Sequence, residues 1–333
     1  MTLSINIKTD KFFIAIGKED SHSFIMFGVY DQNYVQHLLC RVGKDIDEPV
    51  DPDAVKCLVM GERFKNVLFS KLRSKLRNER TERPNPENKP ISYQAYDTTY
   101  DNYLEFIQLL EALQTKENLF SCYKPAKEEG DVVEFVKTSM PVCIARTELG
   151  ALKKNINEFS VDNTCRHTAI NLVKEVQKTP VSSLVSSSFF FDLPYRTALT
   201  YGKPSVVIPF YVLPLSPVSF TDLDAEKKRI IEKLYYRMER LVLLEPDSEQ
   251  TMNKFNSLKN LYLQLVGEQK QLSLNELLIH IQGWKEQNKM LLNTLRKTYF
   301  WDSFFTRESA TMTMVSGIER DLVRAQKTPI APL

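Results

Sequence analysis

Residues 22–42 read HSFIMFGVYDQNYVQHLLCRV, two runs rich in aromatic and aliphatic residues on either side of Asp31-Gln32-Asn33. Apolar runs of this length around a short Asp/Asn cluster predict two antiparallel strands joined as a hairpin. If Asp31–Asn33 is the turn, Tyr30 faces Tyr34, His37 lies opposite Phe27 and His22 opposite Val42. The two histidines are then about 16 Å apart along the strands, at roughly 3.3 Å per residue. A two-residue turn would set His37 opposite Gly28 instead, no nearer to His22. Upstream, Ile5-Asn6-Ile7 and Phe12-Phe13-Ile14-Ala15-Ile16 fit strands, and Val55 to Met60 is another candidate.

Working outward, the basic stretch FKNVLFSKLRSKLRNERTER at 64–83 carries Phe64, Val67, Leu68, Leu72 and Leu76 at helical spacing. It predicts an amphipathic helix, either a solvated surface element or one that meets an anionic membrane or phosphate surface. A helix from about Thr98 presents Tyr103, Phe106, Ile107, Leu110 and Leu113 as a stripe, with Thr98 and Asp101 at capping-box spacing. Two strands are expected around 120–123 and 132–136, with Glu129-Gly130-Asp131 as a turn. A helical pattern runs from Cys165 to Val176, stopped by Pro180, and Val206–Leu213 suits a strand.

Pro214-Leu-Ser-Pro217 reads as a boundary, after which four helices are expected near 222–243, 249–266, 273–297 and 308–325. Ser273 with Glu276 forms a capping box. The expected fold is therefore α+β over residues 1–220, followed by an all-α antiparallel bundle over 221–333. Two domains also suit a chain of 333 residues.

Composition narrows the function. Basic and acidic residues number 44 and 42, a net charge of +2, which argues against a nucleic-acid partner. Five scattered cysteines never spaced CxxC, and four histidines without HExxH, give neither a disulfide framework nor a metal site. Only 10 glycines and no phosphate-loop motif speak against a nucleotide cofactor; no cofactor is expected. The acidic run Asp45, Asp47, Glu48, Asp51 and Asp53 lacks calcium-loop spacing and reads as a solvated loop. The start MTLSINIKTDKFF has no apolar leader core, and no run approaches about 18 apolar residues, so a soluble protein of cytoplasmic type is expected.

The segment Asn163-Thr164-Cys165-Arg166-His167 puts a cysteine at a helix entry after capping residues. Unpaired amides and the positive helix end there favour a thiolate, the nucleophilic form. A buried packing cysteine is the competing reading. His167 lies two residues on, about 200° around the helix from Cys165, so it is not the base. His280 within LLIHIQGW reads as packing, which leaves His22 and His37.

The order of His22 opening an early strand, His37-Leu38 on the next, then Asn163-x-Cys165-x-His167 resembles the circularly permuted papain-like thiol enzymes. These include the PPPDE-type deSUMOylating peptidases and the lecithin–retinol-acyltransferase-like acyltransferases. The resemblance implies a permuted papain-like sheet with helices, Cys165 as nucleophile and His22 as general base. His167 would be a motif residue with no chemical step, and Thr164 is inserted relative to the family's Asn-Cys-x-His pattern. Asn163, His37 and Asp192 are the auxiliary candidates for the third member. Residues 1–220 also resemble translocated effectors of Legionella-type bacteria, in QHLLCRVGK, TTYDNYLEFIQLLEAL, NTCRHTAI and VIPFYVLPLSP. That implies secretion into a host cytosol and a host protein as substrate or partner.

Two functions compete. One is a thiol peptidase or acyltransferase acting on a peptide, isopeptide or acyl carbonyl. The other is a non-catalytic effector that binds a host protein or membrane surface through the helical domain and segment 63–83. In that domain, Tyr299 to Phe305 is strongly aromatic, as a core or as a partner surface.

Overall fold

A computed structural model describes residues 2–31, 35–47, 72–79, 91–140, 150–160, 162–182, 184–188, 190–197, 205–206, 209–243, 245–295 and 307–327. The expected strand at 55–60, the aromatic run 299–305 and residues 63–71 and 80–83 of the basic segment lie outside these. The chain divides into two compact units, Met1–Val212 and Leu213–Leu333.

The first unit is α+β. Its elements are β1 (Thr2–Asn6), β2 (Lys11–Glu19), β3 (His22–Tyr30), β4 (Val35–Ile46), β5 (Leu72–Asn78) and β6 (Ile91–Thr98). Then come α1 (Tyr100–Leu113), β7 (Cys122–Glu129), β8 (Val132–Thr138), α2 (Gly150–Asn157), β9 (Glu158–Phe159), α3 (Cys165–Gln177) and β10 (Tyr195–Thr197). An antiparallel sheet runs in the order β10-β6-β2-β3-β4-β5-β9, and β1, β8 and β7 form a second, three-stranded sheet. The unbroken apolar run of Phe12 to Ile16 is explained by its position. β2 lies between β3 and β6 and is buried on both faces, as near-continuous hydrophobic strands are. On one face, Phe27 packs on Tyr103 and Phe106 of α1, each at 5.1 Å between ring centroids. On the other, Phe13 meets Phe210 edge to face at 5.1 Å. Burying each of these phenylalanines contributes roughly 1.5–3 kcal/mol.

α1 is capped one residue later than expected: the Asn102 N–H donates to Thr99 Oγ1 at 3.1 Å. β2 and β3 are joined through Asp20 and Ser21, and Asp20 takes the left-handed conformation (φ 51°) that aspartate tolerates in tight turns. This turn puts His22 at the first position of β3.

The β3–β4 hairpin exists, but its register differs from the expected one. His37 pairs with Val29, because Asp31 and Val35, rather than Tyr30 and Tyr34, close the turn. A β-bulge then intervenes: Gly28 pairs with Leu38 but Phe27 with Cys40, so Leu39 is an extra residue and Phe24 falls opposite Gly43.

The basic segment is not a helix where it is described. Leu72–Asn78 is a strand paired with β4, with Asp45 opposite Lys75. The physical reason is that Leu72 and Leu76 share a face in both periods: four residues apart on a helix, and with Ser74 between them at strand alternation. Lys75 bonds Asp47 at 2.5 Å and Arg77 reaches Asp45 at 3.2 Å, so these cations are paired across the strands. Asp45 and Asp47 are correspondingly partners of β5 rather than parts of a solvated loop.

The second unit is helical: α4 (Ala225–Val242), α5 (Glu249–Val266), α6 (Leu274–Gln287), α7 (Lys289–Asn293) and α8 (Ala310–Lys327). α4 packs on α5, and α6 on α8. The expected helix 273–297 is broken at Asn288, which ends α6 and starts α7. The Ser273–Glu276 capping box is formed, with Glu276 Oε2 accepting from the Ser273 N–H at 2.8 Å. Among the described residues, no helix is long and apolar enough to cross a membrane.

Candidate active site

Cys165 is the first residue of α3, and His22 the first of β3. Their side chains, 143 positions apart in sequence, lie close enough for each to shift the other's ionisation. His22 Nε2 lies 2.6 Å from Glu79 Oε1. With Nε2 engaged by the carboxylate, Nδ1 is the ring nitrogen that Glu79 does not hold. Cys165 is 6% exposed and the His22 side chain 36%, so solvent reaches the imidazole more freely than the sulfur.

Several groups act on the thiol at once. Burial favours its neutral form, but the His22 hydrogen bond, the Ser23 N–H, the imidazolium charge and the Arg166 N–H outweigh burial and hold it below its ordinary value. The Ser23 amide donates to Sγ at 3.3 Å because the β3–β4 ladder stops at Phe24–Gly43. For His22, burial opposes the charge, but bonds to Cys165 and Glu79 and their negative charge push it up to about 10. Both shifts favour a thiolate beside an imidazolium over the neutral pair, the form in which a cysteine is most reactive.

The sulfur is placed by a polar frame centred on Lys44. This lysine is 2% exposed, and its Nζ donates to the carbonyls of Asn155 at 2.8 Å, Glu158 at 2.5 Å and Asn163 at 2.8 Å. All three ammonium donors are matched, which is the condition for tolerating a buried charge. Burial lowers its pKa to about 8, against the pull of Cys165 and Glu158. Asn163 adds amide bonds to the Asn155 and Glu158 carbonyls at 2.7 and 2.6 Å. Thr164 caps α3, and His167 completes the box, its Nδ1 accepting the Thr164 N–H at 3.3 Å. That gives Thr164 a role at the helix N-terminus and engages the His167 ring there.

Of the auxiliary candidates, none contacts the Cys165–His22 pair. Asn163 is a strut of the Lys44 frame. His37 sits far down the hairpin beside Val29, with Asp31 and Asp10 as its charged neighbours. Asp192 pairs with Lys18 at 2.7 Å and Arg196 at 3.6 Å. The partner of His22 is Glu79, which sequence reasoning missed because it lies within a stretch assigned to a helix. The Glu79 N–H donates to the Arg41 carbonyl at 3.0 Å, extending the β4–β5 pairing and turning the carboxylate over Gly43. Gly43 and Arg166 were likewise not singled out. Gly43 meets Phe24 only through strand pairing, with Gly17 on the other side of Phe24, so no local pattern in the sequence marks it.

A thiolate at a helix mouth, an imidazolium on the sulfur and a carboxylate behind the ring can together attack a carbonyl carbon and protonate what leaves it. No protein-family model, curated protein or solved structure matches this chain.

Proposed function

We propose that this protein is a cysteine-nucleophile hydrolase or acyl transferase, with Cys165 as nucleophile, His22 as acid–base group and Glu79 as the residue that orients and charges the imidazole. The observation that carries this reading is His22 beside Cys165, each shifting the other's ionisation, with Glu79 on the imidazole at 2.6 Å. The resemblance to permuted papain-like thiol enzymes supports it, and frames the substrate as a peptide, isopeptide or acyl carbonyl, in an effector acting in a host cell.

The Cys165 thiolate adds to the carbonyl carbon, and the C=O electron pair moves onto oxygen, facing the amides of the first turn of α3. The tetrahedral adduct collapses, the bond to the leaving nitrogen or oxygen breaks, and the His22 imidazolium gives that atom its proton. Neutral His22 then takes a proton from water or an acceptor amine, which attacks the thioester. The acyl product leaves, and thiolate and imidazolium are restored.

The test is labelling by active-site thiol probes: peptide vinyl sulfones, whose alkene carbon a thiolate attacks, and acyl fluorides, whose carbonyl it attacks with loss of fluoride. Labelling is expected in the wild type and lost in a folded Cys165→Ala variant. Undiminished labelling of that variant would end the proposal and return the protein to a binding role.

The pH profile follows from the same shifts. The acid limb is the protonation of a thiolate held below its usual range, and the alkaline limb is loss of the His22 proton near pH 10. Glu79→Gln removes a charge that holds the proton on His22, so its pKa falls. The alkaline limb should retreat by about one pH unit or more, and the maximal rate should drop about 10- to 100-fold. Rates of thiol labelling and ester turnover between pH 5 and pH 11 measure both.

A further inference from the structure

Arg166 follows the nucleophile, yet it is 0% exposed and points away from solvent into the sheet edge. A wholly buried guanidinium is expensive unless its donors are used. Here Nε donates to Ser23 Oγ at 2.8 Å, while the two terminal nitrogens donate to the carbonyls of Ser186 at 3.2 Å and Phe191 at 3.0 Å. The Ser23 bond has a particular consequence. The same serine supplies, through its backbone, the N–H that reaches Cys165 Sγ. A fixed planar fork thus grips the hydroxyl of the residue whose amide solvates the sulfur, and Arg166 and Cys165 are joined at the other end by the helix itself.

We propose that Arg166 is a positioning residue for the thiolate: by clamping Ser23 Oγ it holds the Ser23 N–H on the sulfur at a point where β3 has no pairing to β4. This rests on Cys165 being the reactive group, and adds a residue that the acid–base reading does not require. Lysine cannot replace it, since an ammonium lacks the flat, divergent donors that span Ser23 and two loop carbonyls together. The cation also lies near enough to Cys165 for their charges to attract, but charge alone would leave the amide free to swing. The two contributions are therefore separable.

The experiment is the pH dependence of Cys165 alkylation by iodoacetamide in the full-length chain, for wild type, Ser23→Ala, Arg166→Lys and Arg166→Met, with circular dichroism melts of each. Ser23→Ala keeps the amide and the cation but removes the clamp point. It is expected to move the acid limb of the profile upward and to slow alkylation at pH 6 about 3- to 10-fold. Arg166→Met is expected to do the same or more, and Arg166→Lys to remain displaced because it restores charge without the fork. A wild-type acid limb in Ser23→Ala overturns the inference even if the Arg166 variants do not fold, and so does full recovery in Arg166→Lys. The failure of the underlying reading is different: wild-type Cys165 would then alkylate with the profile of an ordinary thiol.

Discussion

Replacing His22 with alanine is expected to lower turnover of any ester or amide substrate by at least about 10³-fold, the upper part of the range for a positioned acid–base group. Two losses combine. The leaving group has no proton donor, and the thiol loses the bond and charge that oppose burial. Without them, burial is countered only by the Ser23 and Arg166 amides, so Cys165 should titrate higher. At pH 7 most of it should then be neutral thiol, and alkylation should recover only as the solution is made alkaline. Stopped-flow alkylation against pH, beside a circular dichroism spectrum, separates this from unfolding. If the alanine variant alkylates at the wild-type rate at pH 7, the imidazole does not activate the sulfur.

Gly43→Ala should produce the second large effect, from a residue with no chemistry of its own. A Cβ there would lie 2.0 Å from Glu79 Oε1 and 2.6 Å from His22 Nε2, well inside contact distance. Both neighbours are tips of side chains rather than backbone, and Gly43 does not need a positive φ, so the strand can accept alanine. The methyl group forces carboxylate and ring apart instead. Activity is expected to fall about 10²-fold from misplacement of the imidazole, while stability falls by only about 1–3 kcal/mol. Thermal melts and kcat/KM measured together test this. Loss of both in proportion would mean that the glycine serves the fold alone, and loss of neither would mean that Glu79 and His22 are not held together over it.

Much of this arrangement is legible in the sequence, and what is not has specific causes. The place of Cys165 at a helix entry is legible because N-terminal capping is a local feature, set by Thr164 and the residues around it. His22 is legible because it opens a strongly apolar strand. Four of the helical stretches in the second unit show in their periodicity, and one is signed by the Ser273–Glu276 box. Glu79 is not legible, since its place depends on β5 pairing with β4, and Leu72 and Leu76 fit both helix and strand. Lys44 and Arg166 are surface-type residues by composition. Their burial is decided by carbonyls that the tertiary structure collects around them, from Asn155 to Asn163 and from Ser186 to Phe191. Hairpin register is not legible because the turn closes at Asp31 and Val35 and because one extra residue, Leu39, cannot be seen in a run of apolar side chains.

That leucine has an outcome larger than its size. Were β4 to continue evenly from the pairs His37–Val29 and Leu38–Gly28, valine 42 would sit across from Phe24, its isopropyl group filling the ground over which the imidazole and carboxylate meet. Lys44 would turn to the reverse side, away from the carbonyls that it gathers ahead of the sulfur. A single offset in one strand thus brings a bare patch under the base and an ammonium group under the nucleophile in the same stroke.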